Sequence, residues 1–499
     1  MTLAPRSDRV AVTALVAVSA VLCGVRLWAA REVGFGDSEA LYAAYALHPQ
    51  PAYLDHPGLV GVLARAIGGG SAPTPAQAHA VTTVLATVLP WLMALVCRVS
   101  GASWGRAAAA ALVFALAPEI AVGLFAMTPD LCLALAWTLG LLLAAAALRE
   151  PPGSTRAACA FAGAGVLAGV AVASKVTGVT WMAALAVTYA SAPARKHAKT
   201  IAPWAGLAAG AVLVVPIAAF EDRLGWPLLR HRLVDTQAAA GLSWRNAGAL
   251  LGGQLVYLSP VTALLAARAL RDAWRARGDA VGRLLLASSV IPLAALVPLC
   301  LWSRVAEPHW IAPALLSLVP AAARAPDPPS RRWVTTAAAV AGAMVAAVYA
   351  WVLVPPLQRL AGRAYDPRLD IANELRGWPT AVAAVKKEAA SLAQVASPAR
   401  GEIAVVAPHW VLCAQLDAAL RGALPVGCDT PIRDDFDDWL PRARWRHADF
   451  LVWVTDNRFP DARTPPDYVV VTTRDVTIFR EGRAARVFHI ALLARRGLG

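Results

Sequence analysis

Charge is scarce in this sequence. Asp, Glu, Lys and Arg make up only 16% of its 499 residues, whereas 58% are hydrophobic; a soluble domain carries roughly a quarter charged residues. With a mean hydropathy of +0.53, no water-soluble fold can hide so much apolar surface, so the bilayer is part of the solvent. Lysine is scarcer still, confined to Lys175, Lys196, Lys199, Lys386 and Lys387. The net charge of +14 is not gathered into a stripe or tail, which excludes nucleic acid as a partner. There is no Cys-x-x-Cys or Cys/His spacing to suggest zinc, and Cys23, Cys97, Cys132, Cys159 and Cys300 lie in apolar runs as small hydrophobes. Cys413 and Cys428, in a more polar region, could close a loop of about 15 residues in an oxidising compartment. No repeat of solenoid period is present. No signal-peptidase site follows the first apolar run, 10–30, so it reads as an uncleaved span after Arg6 and Arg9.

What is present is a series of about eleven apolar segments, each long enough to approach the roughly 30 Å of a bilayer core. They lie near 10–30, 80–97, 107–125, 131–148, 157–173, 177–191, 201–219, 250–267, 284–302, 309–323 and 333–354. Alternate connections hold Arg98 and Arg106; Arg149 and Arg156; Arg195, Lys196 and Lys199; Arg268, Arg271, Arg275, Arg277 and Arg283; Arg324, Arg331 and Arg332. The opposite connections are poorer in cations and carry the conspicuous acids. That asymmetry puts the N-terminus in the cytoplasm and the C-terminal region outside. The expected organisation is a transmembrane core, 1–354, with a long outer loop at 31–79, then an exterior domain over 355–499. In that domain β-rich runs ("EIAVVA", "ADFLVWVT", "YVVVTT", "VTIFR") alternate with helical ones, as in a small α/β fold. The first outer loop mixes aromatics with short amphipathic runs, as interfacial helices do.

Ionisable residues recur at the outer ends of spans. The first loop offers Asp37, Glu39, Tyr42, Tyr53, Asp55 and His56; Asp130 follows Pro129; Lys175 sits in "ASKVTG"; Arg230 and Arg232 lie in the second outer loop; Glu307, His309 and Trp310 form "EPHW". Any one of them alone reads as a solvated, snorkelling charge. As a set on one side of the bilayer they define an outward polar cavity. Acids there could hold a divalent cation or take a proton from a hydroxyl, and Lys and Arg could hold a phosphate. His56 could join Asp55 on a cation or serve as hydrogen-bonded structure. Trp310 could stack on a sugar. Arg230 and Arg232 could cap a phosphate or face anionic lipid. The same residues would suit an ion-coupled or lipid-linked-saccharide transporter, which should also show repeat symmetry between its halves.

The motifs narrow this further. "DSEALYAAYALHPQPAYLDHPGLVGVL" resembles the first outer loop of glycosyltransferase family 39; protein O-mannosyltransferases and aminoarabinose transferases of lipid A belong to the same broad group. "TPDLCLALAW", "ASKVTG", "GGQLVYLSP" and "EPHWIAPALL" are similar to its later elements, in order, and "LRGWPTAVAAV" and "DDFDDW" to elements beyond its membrane core. The resemblance implies a polytopic α-helical C-type glycosyltransferase fold in a bacterial inner membrane. It implies a polyprenyl-phosphate sugar donor, inversion at the anomeric carbon, and a lipid, glycan or protein acceptor. It makes the first-loop acid the base, Asp130 a second acid and Lys175 a contact to the donor phosphate. The family's adjacent Asp-Glu pair is interrupted here as Asp37-Ser38-Glu39. The base is therefore Asp37 by residue type and Glu39 by spacing, and residue type is preferred. Gly58 stands where the family often has a second Pro.

Overall fold

Inside a bilayer the backbone must satisfy its own hydrogen bonds, so long apolar runs become helices. The computed structural model describes residues 6–237, 239–355, 357, 362, 365–395 and 402–497. Among these, seven helices are long and apolar enough to cross a membrane: Asp8–Glu32, Pro75–Val99, Pro129–Ala147, Thr155–Ser174, Ala202–Arg223, Ala280–Trp302 and Arg331–Leu353. Two further pairs, Trp104–Leu116 with Pro118–Phe125 and Trp244–Tyr257 with Pro260–Arg275, are bent by 72° and 104° at their breaks. All eleven apolar segments are thus helical, but by length and composition the count of spans comes to seven, or nine with the bent pairs. The other two fall short for local reasons. The segment 177–191 yields only the 12-residue helix Val179–Ala190. The segment 309–323 is cut into Ala312–Leu316 and Leu318–Arg324, each half carrying a proline.

The chain divides into two compact units: Met1–Leu27, Pro51–Val60 and Val81–Val348 form one, and Trp28–Gln50, Gly61–Ala80 and Tyr349–Gly499 the other. Most of the first long loop, expected with the transmembrane core, therefore packs among residues of the second unit.

The first unit is helix on helix. Trp137 and Trp181, both fully buried, stack with ring centroids 5.2 Å apart. Thr155–Ser174 and Ala202–Arg223 meet where Gly165 and Gly169 face Gly206 and Gly210, and a Cβ on any of the four would run into the other helix's backbone. Lipid tails are as apolar as the helices, so close packing of small residues must supply the association.

The second unit holds the α/β domain expected after the last span. Its strands are β1 (Ile403–Ala407), β2 (Val426–Cys428), β3 (Phe450–Asp456), β4 (Tyr468–Arg480) and β5 (Arg483–Arg495). They are ordered β2-β1-β3-β5-β4. β1 pairs parallel with β2 and β3, while β5 is antiparallel to β3 and β4. The runs "YVVVTT" and "VTIFR" are one strand, with a register shift near each end, rather than two. β5 was not expected at all; Glu481 and Gly482, both with positive φ (51° and 75°), turn the chain tightly into it. Cys413 and Cys428 are both buried free thiols. Cys413 Sγ lies 3.6 and 3.5 Å from the carbonyls of Ala407 and Gly427.

Candidate functional site

The expected site residues gather in two places, one in each unit. In the first unit, Thr155–Ser174 ends at Lys175, whose backbone is extended (φ −154°, ψ 137°). Gly178 lets the next turn lie directly on the backbone of Ala171, where any Cβ would collide. The chain breaks there and Lys175 is left between two helices. Its Nζ donates to both oxygens of Asp130, at 2.8 and 3.0 Å. Asp130 sits in the first turn of Pro129–Ala147, just behind Thr128 and Pro129. An acid there also meets the positive end of the helix.

His309 stands 3.9 Å from Asp130 and 3.2 Å from Glu307. Its hydrogen bond holds the Glu307 carboxyl below its ordinary range against burial. Tyr257, from the Trp244–Tyr257 helix, meets His309 edge-on at 6.2 Å. Gln254 Nε2 on the same helix donates to the Pro308 carbonyl at 2.8 Å and ties this segment in place.

The loop Pro51–Val60 turns back on itself, with Tyr53 N donating to the His56 carbonyl at 2.9 Å and Gly58 N to that of Pro51 at 2.8 Å. At its tip Asp55 accepts from Arg232 at 2.9 Å and lies 3.7 Å from His231. Arg232 also stands over the Trp310 ring at 5.9 Å. His56 is buried and its pKa falls well below 6.5, first because of burial and then because of the Lys175 and Arg232 charges. The structure thus brings together Asp55, His56, Asp130, Lys175, Arg232, Glu307, His309 and Trp310, with Tyr53 buried in the same loop. Arg230 does not join them: it is exposed and pairs at 3.4 Å with Asp235, as a residue on the opposite side of a short helix must.

Below this centre runs an apolar cavity of about 230 Å³. Arg106, Ala109, Ala110, Val113, Phe114 and Ala117 line it on one helical face, with Leu316 and Val319 across from them. That face extends over twelve residues, about 16 Å. Asp130 and Glu119 are its acids.

In the second unit Asp37 opens the helix Asp37–Ala44 behind an extended Gly36. Its Oδ2 accepts from Arg458 at 2.8 Å. Glu39, two residues on, turns elsewhere, accepting from His79 Nε2 at 3.0 Å and from Gly36 N at 3.3 Å. Glu39 and His79 are both almost fully buried. Tyr42 is buried edge-on to Tyr45 at 5.8 Å. The expected set missed His79, Tyr257, Glu119 and Arg458. Tyr257 lay inside the quoted "GGQLVYLSP". His79 is a lone imidazole in an apolar run and carries no such signal. Among the described residues no group of three or more His, Cys, Asp or Glu converges to hold a metal ion.

Spans, polar break points and a C-terminal sheet define a polytopic membrane protein of the C-type glycosyltransferase fold. Residues 74–220 match the family model described as dolichyl-phosphate-mannose-protein mannosyltransferase, a segment that contains Asp130 and Lys175. ArnT from Cupriavidus metallidurans in the apo state has the same fold, with TM-score 0.61, 15% identity, and 95% of this chain and 97% of that chain covered. Its form bound to undecaprenyl phosphate matches at TM-score 0.56 and 16% identity over the same shares. The Archaeoglobus fulgidus oligosaccharyltransferase matches at TM-score 0.52 and 12% identity, over 90% of this chain and 70% of that one. No curated protein matches the chain by sequence.

Proposed function

We propose that this chain transfers a sugar from a polyprenyl-phosphate-linked donor to a lipid, glycan or protein acceptor, with inversion, on the outer side of a bacterial inner membrane. One observation carries this: Asp130, which holds Lys175, lines an apolar cavity long enough for several isoprene units. A cation beside a lipid-sized cavity is what a lipid phosphate requires, because the tail is drawn in by burial and the headgroup by charge-assisted hydrogen bonds. The ArnT structure with undecaprenyl phosphate supports the same donor chemistry.

The roles follow from residue chemistry. Lys175 and Arg232 hold the donor phosphate, Asp130 and Asp55 keep those cations aimed before the donor arrives, and His309 and Trp310 border the sugar. The carboxylate of Asp37 takes the proton of the acceptor hydroxyl as the new bond to the anomeric carbon forms and the bond to the phosphate oxygen breaks. The departing polyprenyl phosphate keeps the electron pair of that bond.

The test is direct. Purified protein incubated with a polyprenyl-phosphate sugar labelled in the sugar should release unlabelled polyprenyl phosphate and yield a labelled acceptor. Donor recovered intact, or merely moved between leaflets of a vesicle, would assign the cavity to transport instead.

A further inference from the structure

The turn after β3 carries three residues that act together. Asp456 is fully buried and accepts from Arg486 at 2.5 and 2.9 Å. Arg486 itself rests against the rings of both Trp378 and Phe488, at 4.3 and 4.5 Å, and donates to the Glu374 carbonyl at 3.2 Å. Asp456 then holds Arg458 twice, through its backbone N–H at 2.9 Å and its Nε at 3.1 Å. A guanidinium gripped at Nε has its plane set, so its remaining nitrogens point in fixed directions. One of them reaches Asp37 Oδ2 at 2.8 Å and lies 3.5 Å from Glu374.

The Asp37 side is fixed as well. Gly34 N donates to the Leu375 carbonyl at 2.8 Å, so closely that a Cβ on Gly34 would strike that oxygen. Gln415 Nε2 donates to the Phe35 carbonyl at 2.8 Å. These two bonds strap the segment leading to Asp37, and Arg458 then orients its carboxylate. The contact is end-on. A bidentate pair would occupy both carboxylate oxygens, whereas here Oδ1 is shielded from solvent and accepts nothing among the described residues. One oxygen is anchored and the other is left for a proton.

We propose that Arg458 is the positioning residue for Asp37, and that the C-terminal α/β domain, through Arg486, Asp456 and Arg458, sets the orientation in which Asp37 receives the acceptor's proton. The proposal rests on the assignment of Asp37 as the base. It gives the exterior domain a part in the chemical step beyond any part in acceptor choice.

The experiment compares full-length Arg458→Gln, Arg458→Lys, Asp37→Asn and Asp37→Asn/Arg458→Gln, in one detergent, by steady-state transfer from a labelled polyprenyl-phosphate sugar, with thermal unfolding recorded for each. Arg458→Gln should lower kcat about 10–100-fold with donor KM within about 2-fold, the size of effect expected when a reacting group is misplaced rather than removed. Arg458→Lys keeps a cation but not the planar fork held at Nε, so it should recover only part of that loss and stay below wild type. The double variant should be no slower than Asp37→Asn alone, because Arg458 acts only through Asp37. Should Arg458→Gln unfold, Arg458→Lys decides: reduced kcat at constant KM supports the proposal, and unchanged kcat overturns it. If Asp37→Asn is inactive while Arg458→Gln turns over within 2-fold of wild type, the positioning role is wrong and the base assignment stands. If Asp37→Asn turns over normally, the base assignment fails and the positioning role with it.

Discussion

Lys175 gives two of its three ammonium protons to Asp130, at 2.8 and 3.0 Å, from a position only 5% exposed. The third proton is left for a phosphate oxygen. Lys175→Ala should therefore raise donor KM and lower turnover about 100-fold. It should also cost about 1–2 kcal/mol of stability by leaving Asp130 without its cation, less than a fully buried pair would because Asp130 is one-quarter exposed. Lys175→Ala/Asp130→Asn should regain the stability but not the turnover. Transfer assays and unfolding midpoints in the same detergent separate the two effects. A single variant with normal turnover would leave Lys175 only a snorkelling charge.

Asp37 and Glu39 have distinct partners, Arg458 and His79, and should fail differently. Asp37→Asn should lower the rate constant about 10²–10⁴-fold with donor binding and unfolding midpoint near wild type. Glu39→Ala removes both the partner of buried His79 and the acceptor for Gly36 N, so it should cost about 1–3 kcal/mol. The folded fraction of Glu39→Gln should still turn over. Normal turnover in Asp37→Asn with none in folded Glu39→Gln would exchange the two roles.

The spans were legible because apolar runs of 18 residues or more have few other uses, and Lys175 and Asp130 stood out because charge is so rare in this chain. Ordered motifs carried the rest of the first-unit centre: Asp55, His56, Glu307, His309 and Trp310 come together from segments hundreds of residues apart. Arg458 was not legible. It lies in "TDNRFP", a polar turn like many others, and its meaning depends on a contact with a residue 421 positions away. β5 was overlooked because "RAARVFHIALLAR" alternates imperfectly and opens with two cations in four residues. Its pairing with β3 and β4, not its own pattern, makes it a strand. The membership of the first loop in the second unit was hidden for the same reason. Gln415 to Phe35, Tyr45 to Asp435 and His48 to Asp417 are long-range bonds that no local pattern announces.

The Arg and Lys asymmetry sets an expected topology. In a cysteine-free background, a membrane-impermeant thiol reagent added outside intact cells should label Thr472→Cys, on the exposed face of β4, and not Arg275→Cys, at an exposed helix end in an Arg-rich connection. Labelling in the reverse pattern would put the C-terminal domain in the cytoplasm and remove the basis for an outward-facing transfer.

His56 should leave a pH signature. Burial, and then the charges of Lys175 and Arg232, hold its pKa well below 6.5 in the folded protein, with Asp130 pulling the other way and His309 adding a further lowering. The unfolded chain has none of these neighbours and protonates its imidazole near 6.5. At pH 7.5 neither state binds the proton and the term vanishes. As pH falls below about 6.5 the unfolded state takes up a proton that the folded state refuses, so stability declines until the folded pKa is reached. A single proton gives a slope approaching about 1.4 kcal/mol per pH unit, hence a loss on the order of 1 kcal/mol between pH 6.5 and 5.5. His56→Gln removes the group, so its unfolding midpoint should vary less over that interval than that of the wild type. Saturating polyprenyl phosphate provides a second arm. An anion bound at Lys175 and Arg232 offsets the two charges that oppose protonation of His56, so the acid-side decline should shrink in the wild type and change little in His56→Gln. Equal slopes for both proteins would remove His56 from the electrostatics of the site, and a slope insensitive to the lipid phosphate would place the anion away from Lys175 and Arg232.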